Sequence, residues 1–236
     1  MLETINHPAD NVTLGIGFYT VPEAARLLKI PARNIARWLG GYSHHGKNGV
    51  VDISPLWTPE LPGAETHLEL SFRDLMELRF IQAFIKAGLG LKSIRFCLVH
   101  AREYINDPRP FSTRQFQTDG RTIFLDTASH AGASELLDLK KQQFVLKHVI
   151  ERSFRELDFE GDAVVRWRPF RGKESIIIDP ARAFGQPVAS AYGVPTIVLA
   201  EAAAAEISLE RVARIYEIPL GIVRDAVNFE EYLMAA

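Results

Sequence analysis

Cysteine is nearly absent from this chain of 236 residues, which has only Cys97. A single cysteine excludes an internal disulfide and any zinc site built from several cysteines. It also fits a protein of a reducing compartment. Cys97 stands between Phe96 and Leu98 on an apolar helix face, so we expect it to pack in a core rather than to react.

Long hydrophobic runs are missing as well. No apolar segment opens the chain, and no uncharged stretch approaches the ~20 residues that a membrane helix needs. We therefore expect neither a signal peptide nor a membrane span, and we expect a cytoplasmic protein.

Net charge is small, because 27 Lys and Arg residues nearly balance 29 Asp and Glu residues. Bulk attraction to polyanions is thereby excluded, but the distribution is uneven. From Phe18 to Gly49 there are five cations and one carboxylate, whereas from Ile176 to the end there are four cations and eight carboxylates. This asymmetry favours nucleic acid as the partner at one end and a protein at the other.

Signatures of catalysis are lacking too: the sequence contains no P-loop, no dinucleotide fingerprint and no nucleophile elbow. His44-His45 has no further ligands at familiar zinc spacing, so we expect exposed loop residues and no metal. Asp179-Pro180 and Gly185-Gln186-Pro187 are typical of turns. We predict no enzymatic activity, no catalytic residue and no cofactor.

What the sequence does contain is a pattern of two short helices, from Tyr19 to Leu39. Thr20 and Glu23 form a capping box, with Pro22 in the first turn, so a helix should begin at about Val21. Proline at position 31 ends that helix and opens another. The second helix should bury Ile35, Trp38 and Leu39 and turn Arg33, Asn34 and Arg37 outward.

This spacing is typical of a helix-turn-helix that reads the major groove of DNA. Arg33 or Arg37 would bind guanine and Asn34 adenine. A β-hairpin wing is predicted from Gly46 to Ile53, where Lys47 would reach phosphate, and Lys92 and Arg95 would reach phosphate beyond it. One short helix reads few base pairs, so a homodimer on an inverted repeat of double-stranded DNA is expected. The alternative is a generic helical hairpin with a solvated basic face.

The middle of the chain alternates helices and short strands. Ser71 and Asp74 cap a helix, and Leu91 to Tyr104 forms another. Asp119-Gly120 predicts a β-hairpin from Phe116 to Leu125, and Ser134 would cap a helix of about twenty residues that reaches Leu157. Two strands follow, Ala163 to Phe170 and Ser175 to Ile178. Basic and aromatic residues alternate around them, which fits either nucleic-acid contact or an edge strand with snorkelling arginines: Arg166, Trp167, Arg168 and Arg171.

The last third is predicted to be helical again. A helix spans Thr196 to Ile207, and Ser208–Tyr216 with Leu220–Phe229 forms a second pair resembling a helix-turn-helix around Pro219. The buried side of this pair should comprise Leu209, Val212, Ile215, Ile222, Val223 and Val227.

Two family resemblances add to this interpretation. YTVPEAARLLKIPARNIARWL, followed by LSFRDLMELRFIQAFIKAGLGLKSIRFCL, resembles the winged DNA-binding domain of MerR-type regulators, from Phe18 to roughly Tyr104. The resemblance implies that the helix around Arg33, Asn34 and Arg37 enters the major groove. Lys29 stands where such turns usually have glycine, and no long dimerisation helix follows directly.

The second resemblance extends from about Ile176 to Tyr232. The pieces IDP, GQPV, GVPT and SLERVARIYEIPLGIVRDAV are similar to a small domain of putative VapB-type antitoxins. Membership of that group implies that the protein holds a nuclease-like toxin inactive and represses the promoter they share.

Together these patterns predict a mainly α protein with small β elements. We expect a winged helix-turn-helix DNA-binding domain over residues 1–130, a connecting helix and strand over 131–173, and a C-terminal helical domain over 174–236. The predicted function is a DNA-binding antitoxin that represses its own promoter. A stand-alone regulator sensing a small ligand and a protein-interaction scaffold remain the alternatives.

Overall fold

The computed structural model describes residues 15–46, 49–61, 63, 67–130, 143–206 and 208–235. Its first part contains two short helices, a hairpin and a helix pair: β1 Tyr19–Thr20, α1 Val21–Leu28, α2 Ala32–Gly40, β2 Tyr42–Gly46, β3 Gly49–Ile53, β4 Glu69–Leu70, α3 Phe72–Lys86 and α4 Leu91–Ile105. The remainder adds a further set of helices and strands: α5 Arg114–His130, α6 Gln143–Phe154, β5 Leu157–Glu160, β6 Ala163–Trp167, β7 Ile176–Ile178, β8 Pro187–Ala189, α7 Thr196–Glu206, α8 Leu209–Ile215 and α9 Leu220–Met234. The protein is mainly helical with small antiparallel sheets, as predicted.

The helix boundaries near the N-terminus follow from local capping. The Thr20 hydroxyl accepts from the Glu23 amide, and the Glu23 carboxylate accepts from the Thr20 amide at 2.8 Å. Ser71 and Asp74 make the same reciprocal bonds at the start of α3. Each box satisfies amides that a helix start leaves without partners, so both predicted starts are confirmed.

Within the described ranges, three small sheets accompany the helices. β1 pairs with β4, with Tyr19 opposite Leu70, and β2 pairs with β3 as a hairpin, with Tyr42 opposite Ile53. The third sheet is antiparallel, in the order β5-β6-β7-β8. The strand predicted from Ala163 to Phe170 is β6, which ends earlier, at Trp167, and the strand predicted from Ser175 to Ile178 is β7.

The predicted hairpin around Asp119-Gly120 is wrong, because this segment lies inside α5. Thr113 accepts from the Phe116 amide at 3.1 Å and so starts the helix. Phe116, Gly120, Ile123 and Thr127 are buried at helical spacing. A Cβ atom on Gly120 would lie 3.1 Å from Ile150 Cδ1, so this glycine permits close packing of α5 on α6 rather than a turn.

The long helix predicted to reach Leu157 is also wrong at its C-terminal end. Helix α6 ends at Phe154, and Leu157 begins β5, where it pairs with Trp167. Apolar and acidic residues alternate in Leu157–Glu160, before Gly161, and this alternation is typical of a strand. The prediction missed it because Leu157 also continues the preceding helical pattern. Ser134, the predicted cap, lies outside the described residues.

The predicted C-terminal helices are confirmed, with one error in their buried side. Ile215 is 58% exposed. The core stripe of α8 runs through Leu209, Val212, Ala213 and Tyr216. Ile215 lies about 100° around the helix axis from that stripe, so it faces away from the core.

Two buried apolar clusters hold these elements together. The larger contains side chains from the whole length of the described chain, from Tyr19 to Leu233, and is rich in phenylalanine. The smaller lies among β8, α7, α8 and α9. Cys97 is fully buried in the larger cluster, as expected. The division into residues 1–130, 131–173 and 174–236 stays a prediction.

Candidate nucleic-acid interface

Helix α2 presents a polar face on one side and a buried apolar face on the other. Ile35, Trp38 and Leu39 are buried. Arg33 and Arg37 are exposed. The side chains of Ile35, Trp38 and Leu39 fix the helix to the core, which leaves the polar side available to a partner.

The three side chains predicted to read bases lie together on that outer face. Asn34 is half-buried beside Arg33, and Arg37 follows one turn later. The Arg37 guanidinium carbon lies 4.0 Å from the centre of the Tyr42 ring, a cation–π contact that joins α2 to the first strand of the hairpin. Cationic and amide side chains at this spacing can make bidentate bonds to base edges.

The turn between α1 and α2 has the geometry that such a motif requires. Lys29 adopts the left-handed conformation, with φ 55° and ψ 46°, at the position where such turns usually have glycine. Ile30 is buried and its amide donates to Ala25 O at 3.2 Å. The lysine backbone therefore occupies the conformation that glycine would otherwise supply.

The predicted wing is present as the β2–β3 hairpin. The Ser43 hydroxyl donates to Asp52 Oδ1 at 2.5 Å across the strands. His44 and His45 are exposed as expected, but the predicted loop is wrong, because both lie in strand β2 and pair with Val51 and Val50. No group of three His, Cys, Asp or Glu side chains within the described part of the chain could hold a metal ion. Lys47, predicted to reach phosphate from the wing tip, lies outside the described residues.

Arg95 anchors the base of this hairpin. Its guanidinium donates to Ser54 O at 2.7 Å and to Pro55 O at 2.8 Å. These bonds hold α4 against the segment that follows β3, a role that the sequence did not indicate. Lys92 is exposed in the first turn of α4. The phosphate contacts of Lys92 and Arg95 stay predictions.

A buried network around Asp74 fixes the segment between the hairpin and α3. Its carboxylate accepts from Trp57 Nε1 at 2.7 Å and from Arg109 Nε at 2.6 Å. Arg109 also donates to Thr58 O at 2.7 Å. These donors offset the cost of burying the Asp74 carboxylate away from water. Sequence reasoning placed Asp74 only as a helix cap.

Helix α9 packs directly against the helix-turn-helix. Lys29 Nζ donates to Leu233 O at 2.9 Å and to Tyr232 O, and Arg26 Nη1 lies 3.2 Å from Glu230 Oε2. The Tyr19 hydroxyl donates to Gly185 O at 2.8 Å. Residues far apart in sequence thus fix the orientation of α1, and no local signal predicted these contacts.

Glu77, a buried carboxyl on α3 one helical turn after Asp74, has an altered pKa. Burial raises the pKa of Glu77 to about 7, while hydrogen bonds from Ser112 and the charges of Arg109 and Arg73 act in the opposite direction. The Ser112 amide donates to Glu77 Oε1 at 2.9 Å. Desolvation disfavours the ionised form and is the dominant cause.

The basic and aromatic residues of β6 and its continuation face mostly carboxylates. Arg166 lies 3.4 Å from Asp179, and Arg168 lies 3.1 Å from Asp158. Asp179 Oδ1 also accepts from the Ala181 amide at 2.9 Å, as in a turn. β6 lies between β5 and β7, so it is not an edge strand. These pairs favour a structural role for Arg166 and Arg168 over contact with nucleic acid.

Two helices joined by a tight turn, with a basic outer face, define a helix-turn-helix, and a β-hairpin follows it. In agreement, residues 17–98 match the family described as "Putative DNA-binding HTH domain". None of the described helices is both long and apolar enough to cross a membrane.

Similarity to known proteins covers nearly the full chain. This chain is 26% identical to "Putative antitoxin VapB45" of Mycobacterium tuberculosis over 225 aligned residues. The alignment covers 90% of this chain and 93% of that protein. The chain is 23% identical over 229 residues to "Uncharacterized protein Rv2308" of the same organism, with 92% of each covered. The crystal structure of Rv2018 from Mycobacterium tuberculosis shares the fold with a TM-score of 0.72 and 22% identity, over 92% of this chain and 100% of that one.

Proposed function

We propose that this protein is a DNA-binding antitoxin that neutralises a nuclease-like toxin and represses the promoter of its own operon. The observation that carries the DNA-binding part is the exposed face of α2, where Arg33, Asn34 and Arg37 lie beside the β2–β3 wing. The MerR-like arrangement of α1 to α4 supports placing this face in the major groove. The proposal assigns no catalytic step and no cofactor to the chain.

The DNA complex has a division of roles. Arg33 or Arg37 binds guanine and Asn34 binds adenine, each pair contributing about 1–3 kcal/mol of discrimination. Lys47, Lys92 and Arg95 act on phosphate and add affinity without sequence preference. Two copies of the chain bind an inverted repeat, because one short helix contacts only a few base pairs.

The toxin-binding part is supported by the full-length similarity to a putative antitoxin and by charge. The segment from Ile176 to the end has eight carboxylates and four cations, and six of these carboxylates lie outside the core, whereas those of Asp179 and Glu230 are buried. An acidic surface suits a nuclease whose substrate groove is positive. We therefore assign toxin contact to α7, α8 and α9.

The decisive experiment is growth of cells that express the neighbouring reading frame alone and together with this protein. Growth arrest by the neighbour and relief by this chain are the expected results. A harmless neighbour would overturn the antitoxin assignment and favour a stand-alone regulator. A gel-shift assay on the upstream DNA of the operon tests the repressor part separately, and failure to bind any upstream fragment would favour a protein scaffold.

A further inference from the structure

A cleft of about 780 Å³ lies where the two ends of the chain meet. Its walls come from the end of α1, the second half of α3, α6, the segment after β6, and α9. Pockets for small organic ligands typically have volumes of about 300–1,000 Å³. The size of this cleft therefore suits one small molecule.

The charge of the cleft is strongly positive. Five cations line it together with a single carboxylate, that of Glu156; the cations are Lys29, Arg79, Lys86, Arg152 and Arg171. The carboxylate is already engaged, because Arg79 Nη2 lies 2.6 Å from Glu156 Oε2 and Arg79 Nη1 donates to Ser153 O at 2.8 Å. Among the described residues, no other acidic group lines the cleft to balance the remaining cations.

In the described part of the chain, Lys86, Arg152 and Arg171 have no carboxylate partner, and unlike Lys29 they are not held by backbone carbonyls. All three side chains are exposed. Within the described ranges, no carboxylate forms an ion pair with any of them, and the Arg171 guanidinium carbon lies 5.9 Å from the centre of the Phe170 ring. Cations that face one cleft repel one another, and an anion placed between them removes that cost.

The remaining wall contains apolar side chains. Val149 and the exposed Tyr232 are accessible, whereas Trp167, Phe170 and Phe229 present only small parts of otherwise buried rings. An apolar wall next to a group of cations matches a molecule that has an organic ring and one or more phosphate groups. Arginine is suited to phosphate because its planar fork donates two parallel hydrogen bonds.

We infer that this cleft binds a phosphorylated organic anion of nucleotide size. Lys86, Arg152 and Arg171 hold the phosphate groups, and the apolar wall holds the ring. The inference does not depend on toxin neutralisation.

The site is physically connected to the helix-turn-helix. Lys29, in the turn between α1 and α2, lines the cleft and donates to the carbonyls of Tyr232 and Leu233. Tyr232 also lines the cleft, and Lys29 Nζ lies 4.5 Å from the centre of its ring. A ligand in the cleft therefore touches the residues that join the DNA-binding motif to α9, and its binding free energy is linked to that contact.

Isothermal titration of the full chain with ATP and with inorganic pyrophosphate tests the inference. The test variant is Lys86→Gln with Arg152→Gln. The matched control is Lys147→Gln with Arg155→Gln, which removes the same charge from exposed positions of α6 and the turn after it that do not line the cleft. Thermal unfolding verifies that both variants fold.

We expect ATP to bind the unchanged chain and the control alike, and the test variant to bind at least about tenfold more weakly. No binding of ATP at millimolar concentration would overturn the inference, and so would an equal loss in the control. Pyrophosphate binding as tight as that of ATP would refute the role of the apolar wall. Displacement of ATP by random-sequence duplex DNA would instead identify the cleft as a nucleic-acid surface.

Discussion

Glu230 on α9 and Arg26 on α1 form an ion pair of 3.2 Å across 204 residues of sequence. The glutamate is 1% exposed, and its second oxygen accepts from the Thr196 hydroxyl at 2.5 Å. This carboxylate therefore connects the first helix of the DNA-binding motif to two helices of the C-terminal part.

Replacement of Glu230 by alanine should lower the free energy of unfolding by about 1–3 kcal/mol, since it leaves the buried Thr196 hydroxyl with only the long 3.4 Å contact to Pro187 O as acceptor. The Arg26 side chain is 40% exposed, so water can replace part of its ion pair. Urea denaturation measures the effect. Glu231→Ala, at the exposed neighbouring position, is the control and should change stability by less than about 0.5 kcal/mol. Equal effects of the two substitutions would contradict the pairing.

Arg37→Ala should weaken binding to the specific operator far more than binding to random DNA. The loss on the operator should be about 1–3 kcal/mol, because a bidentate contact to guanine carries sequence information. Fluorescence anisotropy with both DNAs measures it. Arg37→Lys keeps the positive charge and can still contact the Tyr42 ring, but it lacks the planar guanidinium that makes two parallel hydrogen bonds to guanine. This variant should therefore retain the affinity for random DNA. An equal loss on both DNAs would show that Arg37 is not a base reader.

Lys47→Ala should reduce the salt dependence of DNA binding. Removal of one phosphate contact decreases the slope of log K against log salt by about 0.9. Affinities measured at several salt concentrations give this slope. His45→Ala, in strand β2, serves as the control. An unchanged slope for the lysine variant would exclude contact between the wing and phosphate.

Glu77 should make the protein less stable as pH rises. Burial raises its pKa from 4.5 to about 7 in the folded state, so between these values the folded chain binds more protons than the unfolded chain. Stability should therefore fall between pH 4.5 and pH 7 and then level off, with a total loss of about 3 kcal/mol.

Urea denaturation of the unchanged chain and of Glu77→Gln, measured from pH 5 to pH 8, tests this dependence. The glutamine oxygen can still accept from the Ser112 amide, whereas the titration disappears. The stability of the variant relative to the unchanged chain should thus rise across this range. A difference that stays constant with pH would mean that Glu77 does not titrate there.

Gly120→Ala and Gly221→Ala should have opposite effects on stability. Both glycines lie in helices, where alanine is intrinsically better by about 0.8–1 kcal/mol. A Cβ atom on Gly221 would meet no heavy atom within 4 Å, so this substitution should stabilise the chain. On Gly120 the Cβ atom would lie 3.1 Å from Ile150 and 3.2 Å from Phe116, and overpacking costs about 1–3 kcal/mol. Thermal unfolding compares the two, and equal stabilisation would refute tight packing of α5 on α6.

The N-terminal motif could be predicted because its signals are local. Thr20, Glu23 and Pro22 specify the start of α1 by capping chemistry, and Pro31 specifies the start of α2. The spacing of Ile35 and Trp38 then assigns one face of α2 to the core. Each of these rules acts over one or two helical turns, so one sequence is sufficient to apply it.

Elements whose conformation depends on packing were predicted less well. Asp119-Gly120 has the local preference of a hairpin turn, but the burial of Phe116, Ile123 and Phe124 against α6 and neighbouring rings makes the segment helical. Leu157 continues a helical pattern in sequence, yet pairing with Trp167 places it in a sheet. Tertiary contacts outweighed weak local preferences in both segments.

The helix-turn-helix, its outward side chains and the uneven distribution of charge could be predicted from residue type and short-range spacing alone. What those elements contact depends on how distant segments pack. Arg95 is directed to the carbonyls of Ser54 and Pro55, and Lys29 to the end of α9. The basic cleft, too, exists only because helices from both ends of the chain pack together, a long-range arrangement that no local pattern encodes.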